Sequence, residues 1–161
     1  MNQNLYPEYN YIRRVYIFII FMMCLTGFGQ MPIFKRYYIA DIPGLGWLAE
    51  YYLTHYIHYI GAILLFFMFA YCAAGYFLVG RHAFRLTRSA YIRIILLAAI
   101  TITGILRVLK NLPDIVFSPN FTMFIDISHL VFMMIFLMAG AVFLITKKGW
   151  MEILIEQEKF K

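Results

Sequence analysis

Four stretches of this chain, about residues 11–31, 51–79, 90–109 and 121–146, are apolar over the roughly 17 to 25 residues that an α-helix needs to cross the hydrocarbon core of a bilayer. Backbone polar groups in lipid must be satisfied within the segment, so each stretch is expected to be a helix. The second is longer than the core is thick and has to tilt or project beyond it. Pro32, Pro43 and Gly44 fall in the first connection, "GRHAFRLTRS" forms the second and "KNLPDIVFSPN" the third, so helix breakers sit mostly where helices should stop. With 63% hydrophobic and 14% charged residues and a mean hydropathy of +0.75, the chain is outside the usual range of soluble domains. No repeat, flexible linker or charge block divides it. The expected fold is all-α: an integral-membrane four-helix bundle forming one domain over residues 1–161. The first apolar stretch is not followed by a small-residue cleavage site, so it is expected to remain as a span.

The net charge of +6 is mostly a topology signal. With both termini cytoplasmic, the inner side holds ten cations, Arg13, Arg14, Arg81, Arg85, Arg88, Arg93, Lys147, Lys148, Lys159 and Lys161, and the outer side four, Lys35, Arg36, Arg107 and Lys110. That asymmetry favours N-in, C-in. No basic stripe on a soluble fold is present, and a nucleic-acid partner is not expected.

Three of the four histidines then fall near the outer ends of helices. His55 and His58 start the second span and His129 starts the fourth, while His82 lies in a cytoplasmic loop beside Arg81 and Arg85, where a solvated or headgroup role suffices. At about 1.5 Å per residue, His58 lies roughly 10 Å and His129 roughly 12 Å into their helices, but His55 only about 6 Å. Two imidazoles at matching depth on different helices are what a bis-histidine haem requires, with His58 and His129 on the iron and His55 in a supporting or surface role. Gly61, one turn below His58, would leave room for a porphyrin edge. Propionates near the outer surface would seek cations, for which Arg107, Lys110, Lys35 and Arg36 are candidates, although each could equally snorkel to the interface. A polar residue in a span can also serve only to join helices, and a zinc site would lack a third ligand unless Asp126 reached it. Cys24 and Cys72 are the only cysteines, so neither an iron–sulfur ligand set nor covalent haem attachment is available, and any haem is b-type.

Several strings in this order, "YIRRVY", "CLTGFGQ", "IHYIGA", "TITGILRVL", "DISHLVFMM" and "TKKGWMEILI", resemble the four-helix cytochrome b membrane subunit of respiratory formate dehydrogenases and related hydrogenases, a gamma-subunit-like family. The resemblance covers most of the chain. It implies an inner-membrane, multi-pass b-type cytochrome that relays electrons between a partner subunit, in that family an extracytoplasmic iron–sulfur protein, and quinone or another membrane carrier. It implies no autonomous catalytic site. The family's second haem takes one histidine early in the first helix and another about four turns below the first on the fourth helix. Here those places read Arg13, Arg14, Val15, Tyr16 and Phe143, so the resemblance implies a mono-haem variant with one haem b per chain. The vacated half should be filled by bulk such as Phe143, Phe136, Met133, Tyr16, Phe18 and Met22. From His129 to Phe143 the helix runs about 21 Å without a cofactor. Quinone would therefore react near the outer haem, or another membrane subunit would carry the electron onward. A non-redox anchor and a haem-free quinone-binding anchor are the competing readings.

Overall fold

The computed structural model describes residues 7–31, 33 and 37–154, and is 77% helical. Four long helices, α1 (Pro7–Gly29), α2 (Tyr51–Leu78), α3 (Arg88–Leu109) and α4 (Pro119–Ile145), match the four apolar stretches to within a few residues. All four are long and apolar enough to cross a membrane, which makes this a multi-pass membrane protein.

Local chemistry sets their ends. Thr87 caps α3, its hydroxyl accepting from Ala90 N at 3.1 Å, and Ser118 caps α4 by accepting from Phe121 N at 3.3 Å. Pro119 follows in the first turn of α4, where its missing N–H costs no hydrogen bond. At the other end of α4, Lys147 turns left-handed with φ 54°, and Lys148 N returns to Phe143 O at 2.9 Å while Lys147 N returns to Leu144 O at 3.2 Å. This paired closure usually employs glycine, because a side chain in that conformation costs about 1 kcal/mol or more.

The chain divides into two compact units, Met1–Leu78 and Val79–Lys161. In the first, α1 and α2 pack antiparallel: Tyr16 meets Phe69 edge-on at 6.3 Å, and Gly29 touches Leu48 of a short 3-10 turn (Gly46–Ala49). In the second, α3 and α4 pack antiparallel, and a two-stranded ribbon, β1 (Phe84–Leu86) against β2 (Met151–Ile153), joins the segments before α3 and after α4. Its register pairs Arg85 with Glu152. This ribbon is the one departure from an all-α reading among the described residues. Thr87 and Ser89 tie it to the helix start, both hydroxyls donating to Gly149 O at 2.8 and 2.9 Å.

The distribution of polarity is the reverse of a soluble domain's. Thr26, Thr54, Ser89, Arg93 and Thr103 are buried beside Ile19, Leu48, Ala90, Leu97, Ile125 and Phe136, while bulky residues such as Phe18, Phe67, Leu78 and Ile95 point outward. Lipid is as apolar as leucine, so burial of small and hydrogen-bonding residues, rather than of bulk, holds such helices together.

Candidate functional site

Thr26 lies in the last turn of α1, completely buried, and its hydroxyl donates to Met22 O at 2.8 Å, with Met23 O at 3.3 Å. That proton is committed to the helix, so the oxygen can only accept from the ring nitrogen opposite, His58 Nδ1 at 3.1 Å on α2. The His58 proton therefore sits on Nδ1 and its lone pair on Nε2. Gly27, next in the chain, lets the ring lie close: a Cβ there would stand 3.4 Å from His58 Cε1.

The second unit repeats the arrangement. Thr103 on α3 donates to Ala99 O at 2.9 Å and Ile100 O at 3.0 Å, and its oxygen meets His129 Nδ1 of α4 at 3.0 Å. His129 Nδ1 also lies 3.2 Å from Ile100 O, a carbonyl that can only accept. Both partners demand a proton on Nδ1 and leave the lone pair on Nε2. Gly104 again follows the threonine, and a Cβ there would stand 3.3 Å from His129 Cε1. The residues four before each histidine, Thr54 and Ile125, are both completely buried. Sequence alone indicates no repeat. The threonine–histidine separations, 32 and 26 residues, are unequal, which hides the correspondence of Thr-Gly with Thr-Gly.

One turn further out the two units diverge. Gln30 Oε1 accepts from His55 Nδ1 at 3.3 Å, His55 Nε2 lies 2.6 Å from the Tyr59 hydroxyl, and the ring stacks on Tyr51 at 5.2 Å. The equivalent places in the second unit hold Arg107 and Asp126. Arg107 Nε donates to Asp126 Oδ1 at 3.0 Å, and Lys110 Nζ reaches both carboxylate oxygens at 2.7 and 2.6 Å. Arg107 and Lys110, expected from sequence to await a carboxylate ligand, already share one from their own unit. Asp126 was legible only as a distant metal ligand; its spacing of three before His129 copies that of His55 before His58.

The remaining expectations fall as follows. Gly61 is buried, with Met23 Cγ only 2.9 Å from where its Cβ would be, so the space it provides is taken by a neighbouring helix side chain. Lys35 and Arg36 lie outside the described residues. Phe143 packs beneath the Arg93 guanidinium, 4.8 Å from the ring, and Trp150 covers the same cation at 4.9 Å, while Arg93 Nη2 donates to Lys148 O at 3.0 Å. Arg93, counted from sequence as a topology charge, is thus a buried cation lodged on aromatic faces. Phe136 is buried as expected of a filler, but Phe18 is mostly exposed and faces outward. No group of three or more histidine, cysteine or acidic side chains among the described residues could hold a metal, which leaves no zinc cluster there.

In chemical terms each unit holds one imidazole through an Nδ1–H anchored by a threonine oxygen, which in the neutral ring places the lone pair on Nε2. This is the tautomer that metal-bound histidines adopt, held through the other ring nitrogen by a fixed acceptor. A bis-imidazole iron takes two donors of this kind and no third protein ligand. No protein-family model, curated protein or solved structure matches the chain.

Proposed function

We propose that this chain is the b-type cytochrome membrane subunit of a multi-subunit respiratory oxidoreductase, with His58 and His129 as the axial ligands of one haem b. It relays electrons between a partner subunit and quinone or another membrane redox carrier. The observation that carries this reading is the duplicated threonine–histidine pair, which fixes the same ring nitrogen and the same tautomer twice. The haem, when bound, supplies one-electron redox chemistry.

Thr26 and Thr103 keep the Nδ1 proton in place and orient each ring, and the hydrogen bond raises the basicity of Nε2. Gly27 and Gly104 let the rings sit against the helix backbone. His55 is engaged by Gln30 and Tyr59, consistent with a supporting role rather than ligation. A single haem is favoured by the buried Arg93 cation over Phe143, the place where the resemblance would put a second ligand. The charge asymmetry supports N-in, C-in placement in the inner membrane, with the histidine ends outward and an extracytoplasmic iron–sulfur subunit as partner.

Pyridine haemochrome analysis of the purified protein tests the reading. About one haem b per chain is expected, lost on His58→Ala or His129→Ala and retained on His55→Ala. Two haems per chain would refute the mono-haem form, and none would make the chain a membrane anchor without redox function.

A further inference from the structure

In the second unit, Arg85 and Glu152 face each other across the β1–β2 ladder, at the separation where opposite charges on neighbouring strands usually pair. They form no ion pair; the ion pairs among the described residues all involve Asp126. Instead both line a cavity of about 370 Å³ with Leu86, Arg88 and Tyr91. Arg88 is the first residue of a membrane-crossing helix, and Tyr91 lies one turn deeper, so the cavity sits where the chain passes from water into lipid. Tyrosine at that level is typical of the bilayer interface.

The cavity is therefore lined at headgroup depth by two arginines, a tyrosine and one glutamate. Guanidinium is the side chain best matched to a phosphate ester, through paired charge-assisted hydrogen bonds. Glu152 beside the two arginines gives the lining a negative as well as a positive side. It suits a ligand that carries an amine. We propose that this cavity binds a phosphate ester bearing a primary ammonium, supplied by the headgroup of an ethanolamine phospholipid, with the phosphate on Arg85 and Arg88 and the ammonium on Glu152. A choline headgroup lacks the N–H donors that Glu152 would accept, and a glycerol headgroup lacks the positive charge. The acyl chains would continue past Leu86 and Tyr91 into the hydrocarbon. The site is independent of the haem reading.

The test uses the full chain reconstituted in vesicles of equimolar ethanolamine, glycerol and choline phospholipids, then extracted in mild detergent for native mass spectrometry of retained lipid. The ethanolamine lipid should be retained over the glycerol lipid roughly tenfold, the discrimination that one charge-assisted hydrogen bond supplies. Glu152→Gln should abolish or invert that preference, and Arg85→Gln with Arg88→Gln should lose both lipids. If the double variant fails to fold, Arg88→Gln alone and Glu152→Gln decide the matter. Unchanged retention in the arginine variants, or an unchanged preference in Glu152→Gln, would overturn the proposal. Excess soluble O-phosphoethanolamine separates the two sources: failure to displace the lipid supports the headgroup, and binding as tight as the lipid's in lipid-free detergent would overturn the lipid assignment.

Discussion

In the first unit the histidine site is bordered by neutral groups, Gln30, His55 and Tyr59; in the second the same border is ionic, Arg107 and Lys110 on Asp126. One turn deeper the two units agree atom for atom, threonine oxygen on Nδ1 and glycine against Cε1. The contrast separates what the histidines need from what surrounds them. Where the same local geometry arises on different loops and beside different neighbours, the shared part is what the imidazole chemistry demands. The border has been free to solve a different problem in each unit. The first border also leaves Gln30 Nε2 buried without a hydrogen-bond partner among the described residues, whereas the second satisfies its charges internally.

The equivalence is broken most severely by removing either imidazole. On the haem proposal, His58→Ala and His129→Ala should give the same outcome, complete loss of b-type absorbance, and a variant that keeps its spectrum would show that the units are not functionally matched. Next in size are the threonines. Thr26→Val removes the acceptor given for His58 Nδ1 and should weaken haem affinity about 10- to 100-fold, the usual consequence of losing such a partner. Thr103→Val should act in the same direction, with Ile100 O still accepting from His129 Nδ1; haem titration of the two apo-variants measures each loss.

Gly27→Ala and Gly104→Ala should act alike and more weakly. Each replaces glycine in a helix, a gain of up to about 1 kcal/mol, yet each presses a methyl onto the ring. The ring must shift by a few tenths of an ångström, so the expected sign is unaltered or improved thermal stability with a changed low-spin haem EPR spectrum. A spectrum identical to wild type in both would show that the close approach does not orient the ring. The smallest effect concerns the border. Asp126→Asn leaves two cations unpaired on side chains 34% and 19% exposed, and should cost no more than about 1 kcal/mol of stability in detergent. The loss should shrink as salt is raised, while His55→Ala should show no salt dependence. Melting curves at low and high ionic strength distinguish the two.

The four helices were legible because hydropathy over a span is a property of the segment itself. The depths of His58 and His129 along their helices could be counted for a related reason, since each helix start is itself set by the segment. Their threonine partners were not, although "CLTGFGQ" and "TITGILRVL" were visible as strings, because a hydrogen bond across 26 or 32 residues leaves no local pattern. Asp126 was obscured by the habit of assigning Arg107 and Lys110 to an external partner. Arg93 entered only as a cation in the charge count: neither Phe143 nor Trp150 announces in sequence that it will receive a guanidinium. The ribbon escaped because strands of three residues carry too few alternations to register.

The division of the chain at Leu78 also bears on the order in which the protein is made. The first unit contains both Thr26 and His58, so their contact can close while the remaining 83 residues are still being translated. At about 5–20 residues per second, that interval lasts roughly 4 to 16 s. During it one imidazole rests in the bilayer before its counterpart has been synthesised, with its Nδ1 proton already held by threonine. Each hairpin can thereby close its own threonine–histidine contact on its own ribosomal schedule.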